Sequence, residues 1–120
     1  MNRDRGATSY HAGLAAEDCV ARAYADLGAT EIARRWRCGS GEIDLIVSQG
    51  DQIVFVEVKA SKTHSRAAAA LSPHQMRRIY NAAAEFLGTQ PRGQLTPARF
   101  DLAVVDGTGD VRLMHGALNG

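Results

Sequence analysis

Cysteine is scarce: the 120 residues include two, Cys19 and Cys38. They stand too far apart for the paired spacing of a zinc site and are too few for a disulfide scaffold. Stability must therefore come from an apolar core, which one domain of this length can bury. A reducing, cytoplasmic setting suits such a chain better than a secreted one. Also missing is any apolar run of membrane-spanning length, and the opening MNRDRGATSYHAG holds no hydrophobic signal segment, so no membrane association is expected. Nor is there an excess of either charge. The formal net charge is +1, and the overall field advertises no partner. Internal repeats and interdomain linkers are absent too.

One local absence is informative. No acid stands between Glu57 and Glu85, while Lys59, Lys62, Arg66, Arg77 and Arg78 all fall there. Such a block either faces phosphate or forms a solvated helix face with a basic loop, and the two readings weigh equally.

The chain then divides into a flexible polar tail over residues 1–9 and a single domain over 10–120. From about Tyr10 to Leu27, Ala16, Val20, Ala23, Tyr24 and Leu27 recur at helical spacing, and Gly28 supplies a stop. TEIARRWRC reads as a first strand. Residues 42–48 and 52–60, rich in Ile, Val and Phe, flank SQGDQ, which is hairpin chemistry. A basic, alanine-rich connection without periodicity follows. Ser72, Pro73 and Gln75 then form a capping-box start to a second helix, whose stripe is Met76, Ile79, Tyr80, Ala83 and Leu87. ARFDLAVVD is a buried-type strand, and DVRLMH a final edge strand. Residues 52–60 and 99–105 flank a helix, so they are expected to pair in parallel. The fold class is α/β: a mixed sheet with flanking helices and an α-β-β-β-α-β core.

Four charges interrupt the two central strands: Glu42, Asp44, Glu57 and Lys59. Strand alternation sets Val54, Val56 and Val58 on one face, with Ile53, Phe55, Glu57 and Lys59 on the other. It likewise separates Ile43, Leu45 and Val47 from Glu42, Asp44 and Ile46. Hairpin pairing brings Asp44 close to Glu57. Crowded carboxylates repel, and either a proton or a hard divalent cation such as Mg2+ or Mn2+ relieves them. An isolated E-x-K in a strand is more often a solvent-facing pair. The upstream acids and the strand–strand–helix setting shift that balance.

GEIDLI followed by VFVEVK resembles the PD-(D/E)xK nuclease superfamily, which is restriction-endonuclease-like in fold. More closely, the chain is similar to the YraN-like bacterial family, over GLAAEDCVARAYADLG, both motif strands, SPHQMRRIYNAAAEFL and RFDLAVVD. The resemblance implies Mg2+- or Mn2+-dependent endonuclease action, with DNA, including branched or structured DNA, as substrate. It assigns Asp44 and Glu57 to the metal and catalysis, and Lys59 to the attacking water. Related nucleases, including archaeal Holliday-junction resolvases, add a glutamate of the first helix, which maps to Glu17. That residue lies at the margin of the helix's apolar face, where an acid needs a partner, although a helix-start surface glutamate is an equal reading. Glu42 supports the site.

The chain departs from the family before the second helix, where SRAAAALSP replaces a glycine-containing segment. Gln75 stands where a lysine is expected and is explained by capping. Lys62, Arg66, Arg77 and Arg78 are candidate nucleic-acid contacts. No histidine is given a role, and Trp36 and Tyr80 are read as core. The alternatives to a nuclease are a non-catalytic nucleic-acid-binding module and a protein-interaction domain. The protein-interaction reading includes a homodimer through an exposed final strand, and a chain this small leaves room for a homodimer in the nuclease reading too.

Overall fold

The computed structural model describes residues 2–119, with side chains described at 13 and 15–119. Five strands, β1 (Thr30–Cys38), β2 (Gly41–Gln49), β3 (Gln52–Ala60), β4 (Ala98–Val105) and β5 (Val111–Met114), form one sheet in chain order. Every neighbouring pair is antiparallel except β3–β4, which is parallel from Ile53↔Ala98 to Ala60↔Val105. The chain crosses between those two strands through α2 (His64–Ala69) and α3 (Pro73–Leu87), while α1 (Asn2–Asp26) precedes the sheet. This five-stranded mixed sheet flanked by helices is the expected α/β class and is compatible with a restriction-endonuclease-like fold. Among the described residues no helix is long and apolar enough to cross a membrane.

Each face of the sheet buries a different helical stripe. Ala16, Val20 and Tyr24 of α1 pack on Leu45, Val47, Val54, Val56, Ala103 and Val105. On the other face Ala82, Ala83, Phe86 and Leu87 of α3 meet Ile43, Ile46, Ile53 and Phe55. Phe86 meets Trp36 and Phe55 edge-on, with centroids 5.4 and 5.8 Å apart, a favourable geometry for aromatic quadrupoles. Trp36 is therefore part of the core wall, as expected. Leu27, expected on the α1 stripe, is exposed.

Local sequence explains most boundaries. Gly28 takes φ of 84° just past α1, and the Ala29 amide bonds back to the Tyr24 carbonyl at 3.0 Å. Gly50 takes φ of 63° as the first of two residues between Gln49 and Gln52, the demand of a tight hairpin turn. The Ser72–Gln75 box closes in both directions, at 3.1 and 3.2 Å.

Three further details differ from expectation. Helical backbone in α1 starts at Asn2, within the stretch expected as a tail, where the sequence has no apolar period to read. The alanine-rich connection contains α2, capped by Thr63, whose Oγ1 accepts the Arg66 amide at 3.1 Å. Ile43 packs with Ile46 on the α3 side, not with Leu45 and Val47 on the α1 side, so strict alternation breaks at the start of β2.

Candidate functional site

That break coincides with a fork. The β2–β3 ladder runs from Gln49↔Gln52 to Leu45↔Val56 and continues no further. One step on, Asp44 would face Glu57. Instead Asp44 Oδ2 accepts a hydrogen bond from the Val58 amide at 2.8 Å, replacing a backbone acceptor with a carboxylate. On its other side, β1 pairs Arg34 with Leu45 and Trp36 with Ile43, which sets Arg35 across from Asp44. Glycine chemistry holds the approach: Gly41, the first residue of GEID, has φ of 149°, and a Cβ there would lie 3.6 Å from Arg78 Nε. The Ser40 amide donates to Glu85 Oε2 at 3.0 Å and ties the same turn to α3.

Glu57 is buried, and its carboxyl is pushed up from 4.5 to about 9. Burial is the largest cause, followed by contact with Asp44 and the Asp44 charge; Lys59 and the Val58 amide pull the other way. Burial and the neighbouring Asp44 charge thus both disfavour the ionised form of Glu57. Glu17 is 8 % exposed. Burial raises its pKa first, then the charge of Asp44, while Arg35 opposes and Glu42 adds a smaller push. The acid of α1 thus lies in the electrostatic reach of the hairpin acids.

Arg35 was not anticipated from the sequence. It has φ of 53°, the one positive φ outside glycine among the described residues, a conformation that costs a side-chain-bearing residue about 1–2 kcal/mol. A register shift between Glu31 and Ala33 precedes it. Its Nε lies 3.3 Å from Glu17 Oε2 and 3.8 Å from Glu42 Oε1. Arg37 Nε takes the other Glu42 oxygen at 3.5 Å. Glu17 Oε2 is buried and makes no well-aligned hydrogen bond, and Arg35 acts on it through charge and close contact.

The acids gather without closing to ligand spacing. Among the described residues, the one set of three possible ligands whose atoms all lie within 4.8 Å is His64, Asp106 and Asp110, not Glu17, Asp44 and Glu57. The His64 set works as a tie: Nε2 contacts the Asp110 carbonyl at 3.0 Å and Asp110 Oδ2 at 3.2 Å, linking the start of α2 to the β4–β5 turn. Val58 bonds Asp44 and Arg35 pairs with Glu17, so each of these two acids already has a partner. The donors still fit a hard divalent ion: they are carboxylate oxygens on separate segments, and one buried oxygen, Glu17 Oε2, lacks a directional partner.

The expected basic contacts distribute unevenly. Lys59 is partly buried and acts on Glu57. Arg78 borders the acids, lining a cleft of about 200 Å³ with Glu42, Gln75 and Ile79. Lys62 lines a cleft of about 380 Å³ with Ala16, Cys19, Ala60 and Val105. Arg66 and Arg77 are exposed and line neither cleft.

A second buried acid, Asp101, is saturated. Its oxygens accept from Tyr24 Oη at 2.6 Å, Arg99 Nε at 2.9 Å and the Gly116 amide at 2.8 Å, with His115 Nδ1 also at 2.8 Å. Burial would raise its pKa, but Arg99, Tyr24, His115 and Gly116 outweigh that and hold it low. Asp101 is a structural hub that joins β4 to α1 and to the chain after β5.

A profile described as "Uncharacterised protein family UPF0102" matches residues 16–105. The chain belongs to UPF0102. A UPF0102 protein of Cereibacter sphaeroides is 55 % identical over 93 % of this chain and 96 % of its own length. One of Ruegeria pomeroyi is 52 % identical over 94 % and 92 %, and one of Dinoroseobacter shibae 49 % over 92 % and 82 %. The UPF0102 match spans the acid of α1, the β2–β3 fork and the Asp101 strand in one continuous block. The YraN-like resemblance read from GEIDLI and VFVEVK is borne out.

Proposed function

We propose that this UPF0102 protein is a metal-dependent nuclease that hydrolyses phosphodiester bonds in DNA, with branched or structured DNA among its substrates. The observation that supports this reading is the Asp44–Glu57 pair at the strand fork, where two carboxyls crowd beside Lys59 and burial disfavours the ionised form of Glu57. A proton relieves such a pair in the way that Mg2+ or Mn2+ would. Asp44, Glu57 and Glu17 would hold the ion, and Glu42, held by Arg35 and Arg37, braces them. A divalent ion held there supplies Lewis acidity toward the phosphate and makes a water more acidic.

The chain's own groups carry the remaining steps. To hold an ion Glu57 would have to release its proton to solvent, which would couple binding to pH. Lys59 shares a strand face with Glu57, positions the attacking water and offsets phosphate charge. Arg78 and Lys62 hold the backbone on either side, and Arg66 and Arg77 add longer-range attraction.

Incubation with Mn2+ or Mg2+ and supercoiled, linear, single-stranded or four-way-junction DNA tests this, with RNA alongside. Cleavage of at least one DNA form is expected, with losses of about a hundredfold in Glu57→Ala and Lys59→Ala. No cleavage with either ion, or full activity in Glu57→Ala, overturns it.

One observation favours a second reading, a non-catalytic nucleic-acid-binding module: the three acids stop short of ligand spacing and Arg35 already neutralises part of their charge. Salt-sensitive DNA binding that is indifferent to metal, without cleavage, would select that reading.

A further inference from the structure

We propose that Arg35 is a resident counter-cation of the acid site, which neutralises Glu17 and Glu42 in the metal-free protein and weakens the hold on a divalent ion. This rests on the metal-dependent reading of the same site and adds its regulation.

The placement is specific. Arg35 lies across β1–β2 from Asp44, so its backbone starts beside the acids and not at the sheet's far end. Its positive φ turns the side chain out of the regular strand pattern, and its Nε reaches both Glu17, 3.3 Å away, and Glu42, 3.8 Å away. The neighbouring cations have separate tasks. Arg37 holds the second Glu42 oxygen, and Lys59 acts on Glu57. Arg35 is thus the cation paired with the α1 acid, the very group that would complete a three-acid ligand set.

A divalent ion approaching Glu17 is repelled by a guanidinium 3.3 Å from one of its oxygens in a partly buried setting. Loading the site therefore works against Arg35 unless the guanidinium moves. With its side chain 36 % exposed, Arg35 has solvent to swing into.

Mn2+ titrations of the full chain by calorimetry and by the electron paramagnetic resonance of free Mn2+ test this. Wild type, Arg35→Asn, Arg35→Lys and Asp44→Asn are compared, with metal-free thermal melts in parallel. Asparagine tolerates positive φ, so Arg35→Asn removes the charge without new backbone strain. The expected result is Mn2+ binding about tenfold tighter in Arg35→Asn, near wild-type binding in Arg35→Lys, and loss of binding in Asp44→Asn. Metal-free Arg35→Asn should melt below wild type and regain the difference in Mn2+, because the ion then supplies the missing charge. Equal or weaker Mn2+ binding in Arg35→Asn, with wild type binding normally, overturns the role of Arg35 and leaves the metal site standing. Absence of Mn2+ binding in every variant, Arg35→Asn included, overturns both.

Discussion

Asp44 and Val58 are joined by a side-chain-to-backbone hydrogen bond of 2.8 Å at the point where the β2–β3 ladder has stopped. The carboxylate holds the fork at a fixed opening while its other oxygen remains free of that bond. Asp44→Ala leaves the partly buried Val58 amide without its acceptor, and a stability loss of about 1–3 kcal/mol is expected. Urea unfolding measures that loss. Mn2+ binding should vanish in the same variant.

Glu57 gives a pH signature. Its pKa is raised from 4.5 to about 9, so between those values the folded state binds more protons than the unfolded one. Stability contributed at this position therefore falls as pH rises from about 4.5 to about 9. Urea midpoints at pH 6 and pH 8.5 should differ in that sense, and Glu57→Gln should reduce the difference. Mn2+ affinity should move oppositely, rising with pH as the proton becomes easier to displace. A wild-type affinity independent of pH across this window would contradict the assignment.

Asp101 should matter for folding alone. Asp101→Ala strands Arg99 and leaves the Tyr24 hydroxyl and Gly116 amide without their partner, at a cost of about 3–5 kcal/mol. Because its folded pKa is lowered, its contribution is present above the unfolded carboxylate range and is lost as pH falls through the folded value. Acid denaturation of wild type against Asp101→Asn reads this directly.

Phe86 offers an optical check on the α3 face. It is 6 % exposed and lies edge-on to Trp36, the single tryptophan. Phe86→Ala should cost about 3–5 kcal/mol and shift Trp36 emission to the red. Unchanged emission would mean that the ring contact does not persist in solution.

Much of this was legible in the sequence because it is local. GEIDLI, SQGDQ and VFVEVK specify a hairpin by alternation and turn chemistry, and its geometry brings Asp44 toward Glu57. Ser72, Pro73 and Gln75 specify a helix start in four consecutive residues. The six-residue α2 escaped because AAAA has no period, although Thr63 marks its cap. Ile43 changed faces because alternation assumes a ladder that continues, and here it forks. Arg35 was out of reach for a related reason: its role depends on a register shift in β1 and on Glu17, which is eighteen positions earlier. Asp101 and Tyr24 are separated by 77 positions, and no window-based pattern could join them.

The strand order also bears on how the molecule assembles. Leu45 and Val56 close a short loop, whereas Ile53 must find Ala98 across the whole α2–α3 crossover. Chain entropy favours the short closure first. Asp44 and Glu57 then meet while β4 is still unpaired, so their mutual repulsion weighs on an early folding event. Glu57→Gln removes that repulsion and should accelerate refolding more than it slows unfolding, an asymmetry that stopped-flow kinetics would register.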